Sequence, residues 1–214
     1  MDGNIIISIT FALPKKITIM DNYLQLAKQN QEKARKLIER LAVIDCWKSI
    51  GAEINLVGSL KTGLLMKHRD IDFHIYTDTL DVARSFTAVS RLAPDPAVKQ
   101  VFYTNLADTE EACLEWHAIC EDTDGETWQI DMIHILKGSE YDGFFERVAQ
   151  RIIETATPEM KDTILRLKHL TPDDRKIIGI DYYQAVIEKG ITEYSQLVNW
   201  LDTRGDTGIN TWMP

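Results

Sequence analysis

Asp70-Ile71-Asp72 opens a stretch that alternates polar and apolar residues to Thr77. On a strand, residues two apart share a face at a rise of about 3.3 Å each. Asp70, Asp72 and His74 therefore fall on one face, and Ile71, Phe73 and Ile75 on the other. The two carboxylates stand about 7 Å apart at the backbone, and their side chains can converge on hard, oxygen-seeking cations such as Mg²⁺. Two such ions about 3.5–4 Å apart suit in-line displacement at phosphorus. Upstream lies Gly58-Ser59, with ten residues between Ser59 and Asp70. Glycine lets the backbone come close to a ligand, and a turn entering a helix points free N–H groups at an anion. Ser59 adds a hydroxyl, so the pair reads as a phosphate cradle beside a metal site. A third carboxylate, Asp131, interrupts the otherwise apolar run Trp128–Ile133. An unpaired charge in such a run is costly, which predicts a cation or a base role for it.

These residues need elements to hold them. The three-four spacing of Leu24, Ala27, Ala34, Leu37, Ile38 and Leu41 predicts an amphipathic helix over 21–45. A short strand follows at Glu53–Val57, then a turn or helix from Gly58 to Met66, a strand at 70–77 and a helix at 80–92. Extended runs come next at Val98–Tyr103, Ala112–Cys120 and Thr127–Leu136, the last two joined by an Asp124-Gly125 hairpin turn. After Gly138 the pattern is helical: 144–155, 158–170, a third helix from Thr171 to about Glu188, and a fourth at 192–201, with a loose tail from Asp202. The expected architecture is α+β, a mixed sheet with helices on one side over residues 1–137 and a helical unit over 138–214.

Each candidate has a plainer explanation. Asp70 and Asp72 alone would suit a solvated strand face, Gly58-Ser59 an ordinary turn before a helix cap, and Asp131 a salt bridge across the sheet. Glu115 is the substitute carboxylate if the strand faces are reversed. His74 suits a surface histidine. His117 and His134 fall in neither a zinc-protease nor a zinc-deaminase pattern. Asp122-Thr123-Asp124-Gly125 has Cys120 where a calcium loop begins with Asp, so it reads as a hairpin tip. Trp116 and Trp128 read as core, and Tyr182-Tyr183 as helix packing before base stacking.

The net charge is −9. It is uneven: 14 basic and 11 acidic residues in 1–105 give +3, while 10 and 22 in 106–214 give −12. Such a balance repels a long polyanion and lacks a basic nucleic-acid footprint. Three widely spaced cysteines, Cys46, Cys113 and Cys120, predict buried free thiols and a cytoplasmic, reducing setting. No apolar run of about 18 residues is present, so no membrane partner is expected. Ile5–Leu13 is apolar but lacks the flanks of a signal peptide.

Gly58-Ser59, the ten-residue spacer, Asp70-Ile71-Asp72 and Ile130-Asp131-Met132 together resemble the motifs of the DNA polymerase β-like nucleotidyltransferase superfamily over residues 51–136. Thr62-Gly63-Leu64 resembles the branch of poly(A) polymerases and terminal uridylyltransferases, although Arg69 stands where many relatives have Ser. The C-terminal helices look more like those of small-molecule nucleotidyltransferases. The resemblance implies transfer of a nucleoside monophosphate from an NTP to an acceptor hydroxyl with two Mg²⁺ ions. Asp70, Asp72 and Asp131 would hold the metals, with Asp131 also the general base. Gly58 and Ser59 would bind the triphosphate, with Lys61, Lys67 and Arg69 as further phosphate contacts. The acidic balance points to a small-molecule acceptor rather than long nucleic acid. The alternatives are a regulatory or antitoxin-like nucleotide-binding module of the same fold and a hydrolase using the same metals.

Overall fold

The computed structural model describes residues 19–204 and 210–214. The apolar Ile5–Leu13 segment lies outside the described residues. The chain runs α1 (Ile19–Leu41), α2 (Val43–Lys48), β1 (Glu53–Leu56), α3 (Gly58–Thr62), β2 (Asp70–Thr77), α4 (Val82–Ser90), β3 (Val98–Leu106), β4 (Cys113–Glu121) and β5 (Thr127–Leu136). Four helices follow: α5 (Phe144–Thr155), α6 (Pro158–Leu170), α7 (Gly179–Ile187) and α8 (Tyr194–Arg204).

The five strands form one sheet in the order β1-β2-β5-β4-β3. β2 and β5 pair in parallel, and the other neighbours are antiparallel. A parallel pair needs a long crossover, supplied here by α4, β3 and β4. The alternation in β2 has the expected result. Ile71, Phe73 and Ile75 join Trp116, Ala118, Ile130 and Met132 under α1, α2 and α4 in one buried core, while Asp70 and Asp72 stay on the opposite face. All three cysteines are buried free thiols.

A second core forms among α5–α8. It also takes Tyr23 and Ala27 from α1 and Leu64 and Met66 from the segment after α3. The 23-residue helix α1 therefore contributes to both cores. No described helix is long and apolar enough to cross a membrane.

The structure departs from the expected elements at three places. The helix expected over 21–45 breaks at Ala42, which is left-handed (φ 48°). That conformation costs an L-residue roughly 1–2 kcal/mol, and it turns Val43, Cys46 and Trp47 into the core. The helix expected from Thr171 begins only at Gly179. Thr171 resembles an N-cap, but its hydroxyl donates back to Leu167 O at 2.9 Å and pairs with Tyr182 Oη at 2.7 Å. The chain from 172 to 178 then passes along the edge of the cavity described below. Residues 210–214 are tied down rather than loose: Asn210 donates to Asp181 at 3.1 Å, Arg151 donates to Pro214 O at 3.1 Å, and Trp212 packs on the second core.

Candidate active site

The site begins at the end of β1. The Val57 N–H donates to Asp72 O at 2.9 Å, which lays the start of α3 against β2. Gly58 is left-handed (φ +64°), and a Cβ built on it would stand 2.0 Å from Asp72 Oδ2. Only glycine permits that approach. The Ser59 backbone N–H is directed at the Asp72 carboxylate, so one donor of the expected phosphate cradle is already engaged. The segment after α3 is clamped from α1. Asn30 Nδ2 donates to Met66 O at 2.7 Å, and Gln31 Nε2 donates to Gly63 O at 3.0 Å and Leu65 O at 3.2 Å.

The third carboxylate stands beside the first two. Asp72 and Asp131 are register partners on the parallel pair, and Asp70 pairs with Gln129. Register partners share a face, with strands about 4.8 Å apart. Burial, then the negative charges of Asp131 and Asp70, pushes the Asp72 carboxyl up to about 7. Burial and then Asp131 also raise Asp70. Asp70 opens to solvent, yet it sits on the wall of a concave site where protein displaces much of its surrounding water. Asp131 Oδ1 accepts from Gln129 Nε2 at 2.8 Å and from His117 Nδ1 at 2.5 Å. Burial pulls His117 down, but hydrogen bonding and attraction to Asp131, with Glu115 behind, hold it above the usual imidazole value. Two of the three carboxylates, Asp70 and Asp72, therefore bind protons more readily than an ordinary aspartate, each raised in part by the charge of Asp131.

A cavity of about 730 Å³ opens over this face, within the usual size of small-ligand sites. Gly58, Ser59, Asp70, Asp72 and Gln129 line it, whereas Asp131 is not on its wall and meets it through the hydrogen bond from Gln129. The three expected phosphate contacts stand elsewhere. Lys61 is exposed outside the wall. Lys67 bonds Thr171 O and pairs with Asp173 at 2.7 Å. Arg69 pairs with Glu126. The cavity's positive charge comes instead from Lys168 and Lys176, with His68 also on the wall. Lys168 is buried, and its Nζ donates to Leu64 O at 2.9 Å and Tyr183 Oη at 3.3 Å. Its sequence signal was available: Ile164, Leu165, Leu167 and Lys168 share the buried side of α6, and a lysine on an apolar stripe asks for a partner. Tyr182 and Tyr183 also line the cavity but are almost wholly buried, with Tyr182 Oη bonded to Thr171, so packing is their main role. His74 is wedged against Phe145 at the N-terminus of α5, with ring centroids 5.1 Å apart. Next to it, Tyr76 Oη donates to Glu146, which fixes α5 over this end of the sheet. The face expected to be free of helices is thus partly roofed.

A second acidic trio lies at the β4–β5 turn. Ligand atoms of Asp122, Asp124 and Glu126 lie within 4.8 Å of one another. Lys33 Nζ fills the space among them, 2.6 Å from Asp124, 2.7 Å from Glu126 and 3.9 Å from Asp122. Burial would raise Asp122, but N–H groups of Glu126, Trp128 and Asp124 hold its carboxyl below the usual range.

No family model and no curated protein matches the sequence. Solved structures do match the fold. The Cid1 poly(U) polymerase with MgGTP bound aligns over 79% of this chain and 55% of that one, at 16% identity and a TM-score of 0.55. A cytoplasmic RNA terminal U-transferase aligns over 77% and 50%, at 15% identity and a TM-score of 0.51. Cid1 with its short product ApU aligns over 80% and 54%, at 15% identity and a TM-score of 0.53. This chain spans about half the length of the structures it matches. The α+β sheet with its covering helices is the fold these structures share with the chain.

Proposed function

We propose that this chain transfers a nucleoside monophosphate from a nucleoside triphosphate to an acceptor hydroxyl and releases pyrophosphate. The carrying observation is the side-by-side placement of Asp72 and Asp131, with Asp70 on the same face, against the Gly58-Ser59 turn. The three carboxylates would hold Mg²⁺, which when bound neutralises charge developing on the phosphates and lowers the pKa of the acceptor hydroxyl. Ser59 would meet the triphosphate through its hydroxyl. Lys168, fixed by Leu64 O, and Lys176 at the mouth would place positive charge along it. Asp131 would accept the hydroxyl proton as the acceptor oxygen bonds to the α-phosphorus. The bond from that phosphorus to the bridging oxygen breaks, and pyrophosphate leaves with the electron pair.

The charge of −9 supports a small-molecule acceptor. An RNA 3′ end is the second reading, supported by the names of the matched structures, which refer to poly(U) and RNA. The experiment is incubation with Mg²⁺ and each labelled triphosphate, with an oligoribonucleotide in one arm and a panel of small hydroxylated molecules in the other. Mg²⁺-dependent pyrophosphate release with a labelled acceptor is expected, and the labelled arm decides the acceptor class. Release without a labelled acceptor would mean hydrolysis. Triphosphate binding that survives chelation without turnover would replace the enzyme reading with a nucleotide-binding module.

A further inference from the structure

We infer that His117 is a positioning residue for Asp131, holding one carboxylate oxygen so that the other faces the cation and the acceptor. The inference depends on the nucleotidyltransferase reading of the site. Both donors to Asp131 converge on the same atom: His117 Nδ1 at 2.5 Å and Gln129 Nε2 at 2.8 Å from Oδ1. A carboxylate oxygen has two lone-pair directions, and an ionised carboxylate only accepts. Oδ1 is thereby saturated, and Oδ2 is the oxygen left for metal or substrate.

The ring itself is held. His117 is the β4 register partner of Asp131, and its Nε2 faces Glu115 Oε2 at 3.5 Å. Its strand neighbours Trp116 and Ala118 are buried on the opposite face, so its backbone is fixed by the core. His117 does not line the cavity, and its path to it runs through Asp131 and the wall residue Gln129. Carboxylate–histidine pairs just behind a metal ligand fix the ligand's orientation, and losing such a partner costs on the order of 10- to 100-fold in metal affinity or activity.

The test compares His117→Ala, His117→Asn and Asp131→Ala in the full chain. Asn keeps an N–H donor close to the position of Nδ1, and Ala keeps none. Mn²⁺ alone is titrated and counted by the EPR signal of the free ion, with a thermal melt on each variant to establish folding. His117→Ala should weaken Mn²⁺ binding by about tenfold, and His117→Asn should restore it to within about threefold of wild type. In the pyrophosphate assay, His117→Ala should lower kcat by a similar factor while KM for the triphosphate stays within about twofold. Unchanged Mn²⁺ binding in His117→Ala, with binding lost in Asp131→Ala, would overturn the inference and leave the site intact. Unchanged binding in Asp131→Ala would overturn the assignment of the site itself. If His117→Ala fails to fold, His117→Leu, which fills the ring's space and donates no hydrogen bond, takes its place, and full Mn²⁺ affinity in that variant would overturn the inference equally.

Discussion

Two acidic trios lie close together in this molecule, linked by Arg69, and they are built on opposite principles. The hairpin trio Asp122, Asp124 and Glu126 encloses the Lys33 ammonium, and Asp122 also collects two backbone N–H groups and the Trp128 indole N–H. Its charge is answered from within the chain. The sheet trio Asp70, Asp72 and Asp131 has the His117 imidazole on one member, Asp131, and lysines only on the cavity wall, Lys168 and Lys176, and its other two members have raised carboxyls. Proximity of carboxylates is therefore a poor guide to a metal site. What separates the two is how much counter-charge the protein places in direct contact, because carboxylates without a close cationic partner hold a proton or an outside cation more readily.

The largest effect should be on turnover. Asp70→Ala, Asp72→Ala and Asp131→Ala should each lower pyrophosphate release by roughly 10³-fold or more, as for groups acting as a unit. Asp124→Asn, in the hairpin, should leave it within about threefold, since it lies outside the cavity. Equal losses in both sets would dissolve the distinction.

Next comes stability without metal. The folded Asp72 carboxyl titrates at about 7, against 3.8 for the ordinary group. The folded state holds the proton more tightly, so this contribution is fully present below about pH 4 and is lost as pH rises through about 7. Over that window the metal-free protein should lose up to about 4 kcal/mol. Asp72→Asn should flatten the slope and melt higher than wild type at pH 8 in EDTA. Mg²⁺ at pH 8 should raise the wild-type melting temperature and leave that of Asp72→Asn nearly unmoved. A wild-type melting curve indifferent to both pH and Mg²⁺ would show that the sheet trio is already neutralised. Asp122 contributes the opposite slope, since its lowered carboxyl stabilises above the ordinary pKa and loses that stability in acid.

The same contrast explains what the sequence disclosed. Strands announce themselves by alternation, and the runs at 70–77 and 127–136 coincide with β2 and β5. Gly58 and Ser59 line the cavity because they follow β1 directly and the Val57 N–H bonds Asp72 O across to β2. The basic residues were another matter. Lys61, Lys67 and Arg69 are close to the aspartates in sequence, but β2 starts at Asp70 and the chain before it turns toward the hairpin and Thr171. Lys168 is 98 residues past Asp70 and reaches the cavity only through the packing of α6 on the second core. Nor does local pattern show that His117 faces Asp131, because strand order is a property of the whole chain. Local periodicity specifies faces, and tertiary packing decides which charges meet.

The smallest effect, on the hairpin, is the sharpest check of the contrast. Lys33→Met removes the ammonium and leaves three carboxylates within 4.8 Å. The Lys33 side chain is 29% exposed, so solvent screens part of the loss, and the cost should be about 1 kcal/mol. For a chain of this size that is a fall of about 2–4 °C in melting temperature. Pyrophosphate release should stay within about threefold of wild type, because the lysine touches no residue of the cavity wall. Millimolar Ca²⁺ should then recover part of the lost melting temperature in Lys33→Met and none in wild type, since the vacated space is bounded by oxygen ligands of the kind Ca²⁺ takes. Recovery would show that a hairpin trio stripped of its lysine gains the cation affinity proposed for the sheet trio. A fall in turnover as large as that of Asp72→Ala would instead make the hairpin part of the reacting site.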